Sequence, residues 1–389
     1  MTTHDDSMST SRRGLSRREF LTRGAAAAGG LAAAPYLLGA PAWGAAETGA
    51  KVGGKLDVLN WPLYIDKKSK KDFPKQTGIK LRYSEGLNDN NEFFAKYQEQ
   101  FAAEQHIDFD IVTPTSWMAA RLIKLGYVQP MPFDLMENLG NLSPVLQGPP
   151  WDPDNEFTLP WQTGMTGIAY NIEATGREIT SVEELFNPEF EGKVGCLLEM
   201  RDTMALAILS TGITREELAA GVTFQQAEPA FDRLEEAVES GQIRKFTGND
   251  YQDELVNGDF VLNVAWSGDV AQLTLENEDL RFVIPDEGGH GRWADVMCMV
   301  ATSNRRKQVA AWMDYFYDIT NAARVANYNN YLSPVAGIEE ALAELDPAAP
   351  DNPLLFPPAD VEARLVEFPL LDEEDEEKFD ERFAAITGS

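Results

Sequence analysis

Short apolar strands alternate with amphipathic helices from Lys55 onward, and this alternation limits the fold more than any other feature of the chain. Lys55–Trp61 (KLDVLNW) reads as a strand and Asn91–Ala103 as a helix with Phe94, Tyr97 and Phe101 on one face. Phe109–Val112 is the next strand. Pro114 then starts a helix that Gly126 stops, with Met118, Leu122 and Leu125 facing inward. Strand, helix, strand, helix predicts an α/β fold on a parallel sheet covered on both faces. Residues 130–160, rich in Pro and Asn, read as a long surface connection. A second run begins with TGIAYN at 166–171 and a capping box at Ser181-Val182-Glu183-Glu184. It continues through a strand at 192–198, a helix at 229–240 and a strand at 259–266. Helices follow at 303–318, carrying Val309, Trp312, Met313 and Phe316, and at the C-terminus, carrying Phe379, Phe383 and Ile386. The acidic run Asp372–Glu377 before the last of them reads as a solvated helix start. A length of 389 residues suggests two or three domains of ordinary size.

The charge narrows the partners. Asp and Glu number 63 against 33 Lys and Arg, a net charge of −30. Such a surface repels nucleic acid and anionic lipid and attracts cations, although most of these carboxylates serve solubility alone. At the N-terminus, Ser16-Arg17-Arg18-Glu19-Phe20-Leu21 resembles a twin-arginine export motif, with Thr22 where Lys is frequent. An alanine-rich stretch from Gly24 to about Ala40 is too short and too weakly apolar to span a membrane. Small residues at 40–46 offer a cleavage site without a cysteine for a lipid anchor. Residues 1–46 are therefore expected to be an export signal, and the mature protein an extracytoplasmic, periplasmic one. Cys196 and Cys298 each sit in an apolar stretch as small buried hydrophobes, and their spacing leaves pairing open.

Catalytic and metal-binding constellations are missing. The chain has no G-x-S-x-G, no H-E-x-x-H and no phosphate-binding glycine loop. His106 and His290 are too isolated for a metal cluster, and Phe157 stands where a calcium loop opening at Asp152 requires glycine. The expectation is a binder without cofactor or metal, and not an enzyme. Aromatic residues gather instead at strand ends: Trp61 and Tyr64 in NWPLY, Trp117 after PTS, Trp266 in AWSGD, Trp293 in RWAD and Tyr331 in NNYLSP. Taken singly each ring fits a core, but ligands of open α/β sheets bind beyond the carboxyl ends of strands. Glu199, Asp202 and Asp295 accompany the rings. Aromatic faces attract ammonium groups and carboxylates hydrogen-bond them, so the set reads as a cation trap.

Along nearly its whole length from Lys55, the chain resembles the periplasmic spermidine/putrescine-binding proteins (PotD type) of bacterial ABC importers. The resemblance lies in NWPLYI, QTGIK, YSEG, DFDIVTPTSW, NPEFEGKVG, AWSGD, PDEGG and YLSPVAG, in family order. It implies the two-lobed periplasmic-binding-protein fold of type II, closing on a ligand between lobes. The implied lobes are 55–164 plus 294–338 and 165–293 plus 339–389. The implied ligand set is Trp61, Tyr64, Thr115, Trp117, Glu199, Asp202, Trp266, Trp293, Asp295 and Tyr331. Pro62 replaces a family threonine, Thr115 and Trp117 replace Ser and Tyr, Glu199 and Asp202 exchange Asp with Glu, and Pro369 falls near a lost glutamine. The implied partners are a polyamine, spermidine or putrescine, and a membrane permease that reads the closed monomer. Three acids would match the three ammonium groups of spermidine. Rival readings are a binder of another organic cation, a secreted enzyme on this scaffold, and a ligand-sensing subunit.

Overall fold

The computed structural model describes residues 51–87 and 89–388, so the export segment lies outside the described residues. Its frame is one mixed sheet of β1 Lys55–Leu59, β2 Lys80–Ser84, β3 Ile111–Val112, β4 Val128–Gln129, β5 Thr158–Asn171, β6 Val194–Leu197, β7 Ile243–Thr247, β8 Leu262–Trp266, β9 Leu280–Val283, β10 Gly289–Val300 and β11 Leu365–Val366. The main order is β2-β1-β3-β10-β5-β8-β6-β7. The flanks are parallel, as the alternation predicts: β1 with β2 and β3, and β6 with β7 and β8. The centre departs from that expectation. The two longest strands, β5 and β10, run antiparallel to each other, and β10 is antiparallel to β3 and β5 to β8. A chain that passes between two halves of a sheet in both directions must set its crossing strands antiparallel.

Strand alternation divides the first half of the sheet into two faces. Leu56, Val58, Ile111, Met297 and Met299 pack on one face with Trp312, while Leu59, Val112, Val296 and Cys298 pack on the other with Met118 and Leu122. A separate core around Ile168, Val194, Leu262, Phe231 and Phe379 fills the second half. Residues 339–356, grouped with the second lobe in the sequence reading, send Leu342, Ala349 and Leu355 into the first core, because the helix Glu339–Leu345 packs on the helix Ile319–Asn329. Cys196 and Cys298 are both buried free thiols.

Local chemistry explains most element ends. Asp66 and Asp89 accept backbone N–H groups as N-caps, and Gly78 at φ 73° ends its helix in the left-handed conformation. Three expectations shift. Leu125 is exposed, since the helix Ser116–Lys124 ends one residue earlier. Ser181 caps a short 3-10 turn rather than a capping box, whereas the reciprocal boxes belong to Thr214–Glu217 and Thr223–Gln226. The connection at 130–160 buries Met131, Leu142, Leu146 and Trp151, and Asp152 there accepts the N–H groups of Glu156, Phe157 and Thr158.

Candidate functional site

The carboxyl end of β1 delivers Trp61 and Tyr64. The Trp61 indole donates to the Thr113 carbonyl at 2.9 Å, and the Tyr64 hydroxyl donates to Asp295 Oδ2 at 2.6 Å. Thr115 stands at the N-cap of the helix Ser116–Lys124, yet its hydroxyl caps nothing. It donates instead to Asp295 Oδ1 at 2.9 Å and accepts from the Asn90 amide at 2.9 Å. Asp295 is 3% exposed, and its only described polar contacts are these two hydroxyls. Burial pushes its carboxyl up to about 7, against the two hydroxyls, and the nearby Asp202 charge adds to the rise.

Rings continue from that acid. Tyr64 lies 6.1 Å from Tyr331 and 6.4 Å from Trp61, and Tyr331 meets Trp293 edge-on at 5.7 Å. Trp293 lies against Gly164, where a Cβ would come within 2.1 Å of the indole. The Tyr331 hydroxyl donates to Asp269, which also accepts from Tyr251 and Gln252.

Across the centre of the sheet, His290, Thr166 and Trp266 are successive register partners on β10, β5 and β8. All three aim at Asp202, from the helix Met200–Leu209. Its Oδ1 accepts from Thr166 at 2.6 Å and contacts His290 Nδ1 at 2.7 Å, and its Oδ2 accepts from the Trp266 indole at 2.8 Å. A β-bulge between Gly291 and Trp293 brings Trp293 to this same side, where its indole donates to the Thr166 hydroxyl at 3.2 Å.

Glu199 and Trp117 form the third part. The Arg201 guanidinium lies 3.8 Å above the Trp117 ring, 2.6 Å from Glu376 and 4.0 Å from Glu199. Glu199 keeps 23% of its side chain in contact with solvent. Burial pushes its carboxyl up to about 8, with Arg201 opposing and the Asp202 and Asp89 charges adding.

Ten sequence-derived residues thus fall into three connected groups. One is Trp61, Tyr64, Thr115, Asp295 and Tyr331, another is Asp202, Trp266 and Trp293, and the last is Glu199 with Trp117, whose ring face Arg201 occupies. Sequence reasoning missed Asn90, Thr166, His290, Asp269 and Arg201. Their one shared signal is a polar residue inside or beside an apolar element. An open groove lined by Ser143, Leu332 and Ile338 has one aromatic ring, Phe356, and only Glu339 and Glu362 as acids, so it lacks the trap's chemistry. Among the described residues no group of His, Cys, Asp and Glu could hold a metal ion, and no helix is long and apolar enough to cross a membrane.

Two α/β cores joined by two crossing strands, with rings and acids converging where they meet, define a solute-binding protein of the type II periplasmic fold. The chain belongs to the bacterial extracellular solute-binding protein family, which matches residues 68–357. It is 25% identical over 317 residues to the spermidine/putrescine-binding periplasmic protein 1 of Haemophilus influenzae, covering 81% of this chain and 84% of that protein. The putrescine-binding periplasmic protein PotF of Escherichia coli is 27% identical over 335 residues, covering 80% and 85%. The spermidine/putrescine substrate-binding protein PotD of Streptococcus pneumoniae has the same fold, with a TM-score of 0.73 at 22% identity over 86% of this chain and 99% of that one.

Proposed function

We propose that this chain captures a polyamine of the spermidine/putrescine class outside the cytoplasm and presents it to the permease of an ABC importer. The observation that carries the reading is Asp295. It is a buried acid among tyrosine and tryptophan rings, and no described Lys, Arg or His side chain pairs with it. A buried carboxylate without a cation costs several kcal/mol unless it takes up a proton or a charged ligand. An ammonium group supplies that charge, and Tyr64, Trp293 and Tyr331 supply the ring faces and edges around the methylene links. The names of the relatives support the same ligand class. Trp61, Tyr64, Thr115, Trp117, Glu199, Asp202, Trp266, Trp293, Asp295 and Tyr331 are the proposed site, between lobes whose chain crosses near residues 164 and 293.

The N-terminal Arg17-Arg18 pair directs twin-arginine export of the folded monomer in this reading. Replacing both with Lys should leave uncleaved precursor in the cytoplasm, and normal processing of that variant removes the route. The ligand class is tested by thermal melting with putrescine, spermidine and a quaternary ammonium compound. Polyamines should raise the melting temperature in proportion to the logarithm of concentration. A rise with the quaternary cation alone would move the assignment to a single-charge organic cation.

A further inference from the structure

Resting on the polyamine reading, the geometry points to His290 as a specificity-determining residue that withdraws Asp202 from the ligand, so that the cleft favours a diamine over a triamine. The argument starts from what surrounds each acid. An ammonium ion has only hydrogens to offer, so the groups packed around it must accept. The neighbours of Asp295 are the Tyr64 and Thr115 hydroxyls, which donate in the empty site but carry lone pairs and can turn to accept. Two of the three neighbours of Asp202 are of the opposite kind, and the third, the Thr166 hydroxyl, already accepts from the Trp293 indole. The Trp266 indole is a donor only, and His290 Nδ1 must carry its hydrogen to lie 2.7 Å from a carboxylate oxygen.

Capacity points the same way. A carboxylate accepts at about four positions. On Asp202, Thr166, His290 and Trp266 fill three of them, and the side chain is 5% exposed. The three donors stand in one cross-strand row on β10, β5 and β8, so strand register fixes their approach. Through Thr166 the same carboxylate also orients the Trp293 indole. Asp202 therefore sets the two indoles of the box, and Asp269 is likewise occupied by Tyr251, Gln252 and Tyr331. The acids left for ligand are Asp295 and Glu199, and the one cationic neighbour of Glu199 among the described residues, Arg201, lies 4.0 Å away with its NH2 group on Glu376. Two acids match the two ammonium groups of a linear diamine. A triamine must seat its third charge against fixed donors.

Calorimetric titration with putrescine and spermidine tests this on the mature protein. The wild type should bind putrescine at least about tenfold more tightly, the loss expected for one unmatched charged hydrogen bond. His290→Leu removes one donor from Asp202 and should shift the putrescine-to-spermidine ratio toward spermidine by about tenfold. His290→Gln keeps an N–H donor and should hold the wild-type ratio, which a role in packing alone would not predict. A wild type that prefers spermidine, or a His290→Leu protein with an unchanged ratio, overturns the inference while the polyamine reading stands. If His290→Leu does not fold, the wild-type preference and the His290→Gln ratio still decide. Failure of both amines to bind the wild type overturns the polyamine reading itself, and this inference with it.

Discussion

Once ionised, Asp295 carries a charge that no described cationic side chain answers. Tyr64 and Thr115 give it two hydrogen bonds, but burial still lifts its carboxyl to about 7. Such an acid is a cost to the empty protein and an asset to the complex. Asp295→Asn removes the charge while keeping the shape and one acceptor. The variant should therefore be more stable than the wild type without ligand at pH 8, by about 1–3 kcal/mol. Its polyamine affinity should fall by at least about tenfold, through loss of a charge-assisted hydrogen bond. Urea midpoints and calorimetry on the same preparation separate the two effects. A variant that loses stability as well as affinity would make Asp295 a structural acid and not a ligand acid.

At the level of elements, residues at strand ends were legible and residues inside strands were not. Trp61 and Tyr64 follow an apolar run directly, so position along the chain was enough to find them, whereas Asp295 lies inside β10 and was found through the resemblance. Thr166 and His290 are found only through the register between β5 and β10, and the bulge between Gly291 and Trp293 changes which side chains share a face. No single strand pattern contains that information. The acidic start of the helix Glu373–Thr387 shows the same limit. Glu373 is the solvated residue expected there, 88% exposed beside Lys124, but Glu376 accepts from both Arg201 and Arg121. Arg201 is only 7% exposed, so loss of its carboxylate leaves a charge in a dry setting. Glu376→Gln should lower the unfolding free energy by about 1–3 kcal/mol. Glu373→Gln should stay within about 0.5 kcal/mol. Denaturant midpoints give both values, and equal effects would mean that burial does not distinguish the two pairs.

For the whole molecule, the net charge of −30 and the two raised acids make ligand binding a proton-linked event. On the proposed reading the negative field draws polyamines toward the site, an effect that salt weakens. Inside the cleft, Asp295 and Glu199 hold protons up to about pH 7 and 8, well above their ordinary values of 3.8 and 4.5. An acid raised on folding leaves the folded state at its most stable below the ordinary value. That stability falls as the pH climbs through the raised value and is constant beyond it. The empty protein should consequently lose melting temperature from these two groups between about pH 4 and 8. A bound ammonium reverses the cost by favouring the ionised form, so protons leave as the ligand enters. Affinity should then increase with pH until about 8, where both acids are already ionised. Titrations at pH 6 in two buffers of different ionisation enthalpy should report proton release, and Asp295→Asn should release fewer protons than the wild type under the same conditions. Equal heats in both buffers at pH 6 would show that Asp295 and Glu199 are ionised before the ligand arrives, and the affinity would then be flat with pH across this window.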